Sequence, residues 1–111
     1  MPLPWIVASN PDDKELQQWA FEHWQDHLEI QQAILKQSGI NLEIQVIYPL
    51  NFDDPDEWLE NHQLMHNEMN GLLKLNGSDL SKVDFTNDNQ RNVWIWLNGQ
   101  EHRAVRQALA I

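Results

Sequence analysis

One spacing recurs three times in this chain. Trp19-x3-His23-x3-His27 is followed by Ile30 and Ile34, Trp58-x3-His62-x3-His66 by Met69 and Leu73, and Trp94-x3-Asn98-x3-His102 by Val105 and Leu109. The intervals are four, four, three and four in each copy. At about 100° per residue the five positions fall within an arc of about 80° on a helix, so each copy predicts one helix with one inward face. Ala20, Leu59 and Ile95 widen that face, as do Ala33, Leu72 and Ala108. Three such faces bury themselves best against one another. The fold class read from the repeat is therefore mainly α, a three-helix bundle with indoles toward the helix starts, imidazoles in the middle and aliphatic side chains toward the ends.

Capping residues set the expected bounds. Helix one spans about 10–38, with Asn10 as N-cap, Pro11 in the first turn and Gly39 as the stop. Helix two spans about 54–75, opened by Asp54-Pro55 and closed before Asn76-Gly77; helix three spans about 87–110, capped by Asn87 or Thr86. Gly71 inside helix two costs about 1 kcal/mol relative to alanine, which predicts close approach of another backbone there. Residues 1–9 form an extended arm with Pro2 and Pro4, and 10–111 a single helical domain. Ile40, Leu42, Ile44 and Val46 alternate with polar residues, which predicts an extended or β segment over about 40–48, ended by Pro49. Its partner would be Trp5–Ala8, Lys82–Phe85 or another subunit. Leu80, Val83 and Phe85 are expected to fold back onto the bundle. The long first connection permits helices one and two to run parallel, whereas the shorter second one favours an antiparallel third helix.

The net charge is −10 over 111 residues without cysteine. Acidic residues gather at the expected helix starts, and Lys36, Lys74, Arg103 and Arg106 lie near the ends, the arrangement that complements helix dipoles. The sign of the charge argues against direct binding to nucleic-acid phosphates. No apolar run is long enough for a membrane span, and the start lacks the basic region of a secretory leader. A soluble, non-membrane protein is expected, either part of a particle assembled in a host cytoplasm or otherwise cytoplasmic.

The repeat places His23, His27, His62, His66, Asn98 and His102 in one structural polar layer, where a neutral imidazole donates one hydrogen bond and accepts another. The alternative is a metal site built from His23, His27, His62, His66 and His102, since His-x3-His sets two imidazoles on one side of a helix. Catalytic patterns fail. His23-Trp-Gln-Asp-His27 has Asp26 where the inverted zinc-protease pattern requires glutamate, and no carboxylate lies between His62 and His66. Ser9, Ser38, Ser78 and Ser81 fall at helix ends or turns, and phosphate loops and dinucleotide fingerprints are missing. A motif shared by three helices also argues against one asymmetric active site. The sequence thus calls for no enzyme, no catalytic residue and no cofactor.

Trp58-Leu-Glu-Asn-His62-Gln-Leu-Met-His66-Asn-Glu-Met69-Asn, Gly77-Ser-Asp-Leu80-Ser-Lys-Val-Asp84, Trp94 and Glu101-His102 together resemble small uncharacterised proteins encoded among virion structural genes of tailed bacteriophages. The resemblance covers roughly residues 55–110. It implies a non-enzymatic structural or assembly role in the capsid, neck or tail of a particle, with other virion proteins or copies of the same chain as partners. The surfaces expected to make such contacts are Trp5 and Ile6 in the arm, and Ile44, Val46 and Tyr48 in the extended segment, through aromatic anchoring and strand addition. Two alternatives stand beside it: a histidine-rich metal-binding protein, and an acidic DNA mimic that inhibits a host protein.

Overall fold

The computed structural model describes residues 12–43, 48 and 50–111. Three helices form the expected bundle: α1 (Asp13–Ser38), α2 (Asp56–Leu73) and α3 (Asp88–Leu109). No strand occurs among the described residues; the arm, Asn10, Pro11 and residues 44–47 of the expected extended segment lie outside them.

The caps explain where the helices begin and end. Asp12 caps α1 by accepting the Glu15 N–H at 2.8 Å, and Gly39 ends it in the left-handed region (φ 74°), its N–H bonded to Leu35 O. Asn87 caps α3 through the Gln90 N–H at 3.0 Å. At α2, Asp54 does not cap as expected. Pro55 itself holds the N-cap position without a side-chain bond, and its carbonyl accepts the Leu59 N–H at 2.8 Å. α2 also stops two residues early, at Leu73. Lys74 turns left-handed (φ 56°), which lets Leu75 fold back against the aliphatic end of the core, with its N–H on Asn70 O.

The repeat maps onto layers. Trp94 lies 5.9 Å from Trp19 and 5.5 Å from Trp58 between ring centroids. One step on, His23 meets His62 at 5.0 Å, and its Nε2 is 3.2 Å from Asn98 Oδ1. In the next layer His27 lies 5.1 Å from His66 and 4.6 Å from His102. Ile30, Ile34, Met69, Val105 and Leu109 then form a separate apolar cluster. Equivalent positions meet in the same order on every helix, so all three helices run in one direction. The antiparallel third helix expected from the second connection is therefore corrected. The 14 residues between Leu73 and Asp88 can reach about 46–50 Å, more than the roughly 27 Å length of an 18-residue helix that they must retrace.

That returning connection is fastened along its length. Ser78 N–H bonds to Glu101 Oε2 at 2.9 Å, Leu80 N–H to Gln63 Oε1 at 2.6 Å, and Trp94 Nε1–H to Leu80 O at 2.8 Å. Leu80 and Phe85 are buried and Val83 packs beside them, as the sequence predicts. Burial of about 200 Å² per indole, at about 25 cal/mol/Å², makes each of Trp19, Trp58 and Trp94 worth about 5 kcal/mol before entropy.

Gly71 is not the site of close approach: a Cβ there would meet nothing within 4 Å. Gly77 is, because a Cβ would collide with the Asn70 amide and press on Glu101 Oε1 at 3.1 Å. Chemical denaturation should therefore separate the two. Gly77→Ala is expected to lower stability by about 1–3 kcal/mol, whereas Gly71→Ala should raise it by up to about 1 kcal/mol.

Candidate metal centre

All five histidines have 0 % exposed surface, as does Asn98. They lie between two apolar plugs. On one side are the indoles with Leu80, Phe85 and Ile95; on the other are Ile30, Ile34, Met69, Val105 and Leu109. One ligand atom from each of the five imidazoles falls within 4.8 Å of all the others.

Hydrogen bonding does not account for this convergence. His23 Nε2 lies 3.2 Å from His27 Nε2, 3.2 Å from His62 Nε2 and 3.2 Å from Asn98 Oδ1. A neutral ring nitrogen carries either one hydrogen or one lone pair, so it can serve only one of these neighbours well. His66 Nε2 and His102 Nε2 are buried without any partner. A buried polar group left unmatched costs about 1–3 kcal/mol. Those two inward nitrogens alone would then cost on the order of 2–6 kcal/mol, a large share of the stability of a small domain, about 5–15 kcal/mol. A cation would accept the inward Nε2 lone pairs at once, leaving the Nδ1 atoms of His23, His27 and His62 still without a partner. Nitrogens held about 2.0–2.1 Å from one metal stand about 3.3 Å apart in a tetrahedral shell, and about 4.2 Å apart where two ligands of a five-coordinate shell face each other. The 3.2 Å contacts fit such a shell, and the 4.8 Å limit is wider, so the outer rings would have to draw in by about 0.6 Å to share one ion. Two ions about 3.5–4 Å apart would spread their ligands further.

Carboxylates stand behind two of the rings. His102 Nδ1–H donates to Asp26 Oδ2 at 2.6 Å, and Asp26 Oδ1 accepts from Arg106 Nη1 at 2.7 Å. His66 Nδ1–H donates to Glu101 Oε1 at 3.1 Å; the same oxygen accepts from Asn70 Nδ2 at 2.9 Å. A hydrogen fixed on Nδ1 leaves the Nε2 lone pair facing inward, the usual orientation of a metal-binding histidine with an outer carboxylate. Two more rings are aligned by stacking: His23 on Trp19 (4.8 Å, 13°) and His62 on Trp58 (4.8 Å, 9°).

Burial sets the charge states. Desolvation, followed by repulsion from neighbouring imidazoles, holds His23, His27, His62 and His102 well below their ordinary pKa. Neutral imidazole is the form that ligates metal. Burial raises Asp26 against the pull of Arg106. Burial also works to raise Glu101, but bonds from His66, Asn70 and the Ser78 N–H outweigh it and leave the carboxyl below its usual value.

The sequence-derived layer of His23, His27, His62, His66, Asn98 and His102 is thus brought together in one place, and Asn98 contributes an amide oxygen beside His23. Of the expected contact surface, Trp5, Ile6, Ile44 and Val46 lie outside the described residues. Tyr48 is half-buried, stacked on Trp24 at 5.9 Å and edge-on to Phe21 at 5.4 Å. Sequence reasoning missed Asp26, Glu101 and Asn70 as site residues. The available signal was a carboxylate immediately before the last histidine of two repeats, at Asp26 and Glu101. Searches of protein families, curated proteins and solved structures find nothing that matches this chain.

The pKa directions predict acid sensitivity in metal-stripped protein. Above the ordinary value of 6.5 His23, His27, His62 and His102 are neutral folded and unfolded. Below it the unfolded chain binds protons that the fold refuses, so stability falls as pH drops, by up to about 1.4 kcal/mol per pH unit for each group. Asp26 works in the opposite sense, in the carboxylate range. Thermal melts between pH 8 and 5 should show a declining Tm below about pH 6.5; a flat profile would contradict neutral burial.

Proposed function

We propose that this protein binds one divalent transition-metal ion at the centre of its helical bundle. The observation that carries this reading is the convergence of five buried imidazoles, with lone pairs that no protein group satisfies, backed by two carboxylates. Imidazole donors suit zinc, copper, nickel or iron and do not suit the oxygen-seeking magnesium and calcium ions. The formal charges of Asp26 and Glu101 balance a dication, with Arg106 moderating the first. Complete burial between apolar plugs favours retention of the ion over turnover of a substrate, so the reading is non-enzymatic: a site that stabilises the fold or that stores or senses the metal. Particle assembly, the expectation drawn from the phage resemblance, gains no support from Tyr48, which packs inward, and its other surface residues lie outside the described ones. The acidic-mimic reading is weakened because Asp26 and Glu101 face the interior.

Elemental analysis and titration with Zn²⁺ or Co²⁺ should find one ion per chain. Chelation should lower the Tm, since ligand at a hundredfold excess over Kd adds about 2.7 kcal/mol. Asp26→Asn and Glu101→Gln should each weaken binding by about 10–100-fold, and His62→Gln by more. Absence of uptake at micromolar metal would return the cluster to a purely structural layer.

A further inference from the structure

The three repeats are related by an approximate threefold pattern, and beside the third-layer histidines the pattern breaks at one point. The residue preceding the third-layer histidine is Asp26 in α1, Met65 in α2 and Glu101 in α3. Asp26 reaches from α1 to His102 on α3, and Glu101 reaches from α3 to His66 on α2. Continuing the cycle, Met65 on α2 stands where a carboxylate would hold His27 on α1. A thioether cannot accept the Nδ1 hydrogen strongly, and His27 Nδ1 is buried without a partner. A cavity of about 10 Å³ opens there, lined by His27, Ile30, Met65 and Met69, with the exposed carboxylates Glu43 and Glu68 among its other walls. That is room for about one water molecule or one bare ion.

His27 is also the least restrained of the five rings. His23 and His62 are stacked on indoles, and His66 and His102 are tied to carboxylates. Among the described residues, the rings beside His27 are only the other four imidazoles. Building on the metal-binding reading, we propose that His27 is the exchangeable ligand: it meets the incoming divalent ion at the Met65–Met69 cavity and passes it to the four fixed imidazoles. Glu43 and Glu68 attract the cation to the mouth, and the thioethers provide a weakly coordinating wall that does not trap a borderline dication.

The test is the rate of Co²⁺ uptake by the metal-stripped full chain, followed by stopped-flow absorbance alongside equilibrium stoichiometry. Met65→Phe, which fills the cavity, should slow uptake about tenfold or more while one ion per chain is still bound at equilibrium. His27→Gln should slow both uptake and release, and should weaken equilibrium binding less than His62→Gln. Because the added ring in Met65→Phe can disturb packing, the exposed pair Glu43→Gln with Glu68→Gln gives a second reading: uptake at low salt should fall severalfold. Uptake within about twofold of wild type in these variants would overturn the port, as would equal losses of affinity in His27→Gln and His62→Gln. Wild-type protein that takes up no Co²⁺ at all would instead remove the metal centre itself, a result separable from failure of the port alone.

Discussion

Five imidazoles share a space from which water is excluded, and the rest of the molecule is arranged around that fact. Burying one polar ring is tolerable when both nitrogens find partners. Burying five with their nitrogens turned toward one another leaves several nitrogens without a partner, and burial, followed by mutual repulsion, disfavours protonation of His23, His27, His62 and His102. Apolar layers above and below leave only the small cavity beside His27 for water to relieve the conflict. The layer is therefore costly alone, and under the proposed metal-binding reading a cation at its centre would couple folding to binding.

Parallel helices follow from the same requirement. Equivalent histidines share a layer only if the helices run in one direction and in register. The connections must then travel the length of the bundle, and the second one contributes directly to the site. Ser78 donates to the carboxylate that holds His66, and Gly77 leaves space for Asn70 to reach that carboxylate. A short turn to an antiparallel α3 would have lost both contacts. The apolar anchors Leu80 and Phe85 offset the entropy of ordering this long connection.

The functional character lies in the departures from threefold regularity. Asn98 replaces one imidazole of the upper layer and presents an oxygen beside His23. Met65 replaces one of the outer carboxylates and leaves a small opening beside His27. The asymmetry leaves four rings stacked on indoles or tied to carboxylates and His27 with neither.

Much of this architecture was legible in the repeat itself. The 3.6-residue period and the spacing of Trp, His and aliphatic positions determine three helices and their inward faces, and Gly39 and Asn87 mark boundaries because their local chemistry is self-contained. The sequence also named all five histidines as a possible ligand set. It did not rank that set above a hydrogen-bonded layer, because the difference depends on which nitrogen faces which neighbour across helices. Helix direction and the crossed pairing of Asp26 with His102 and Glu101 with His66 join residues more than twenty positions apart, and the restriction at Gly77 depends on Asn70 being held by Glu101 from another helix. Only the tertiary structure decided these, since local propensity sets which way a side chain leaves its own helix but not what waits on the next one.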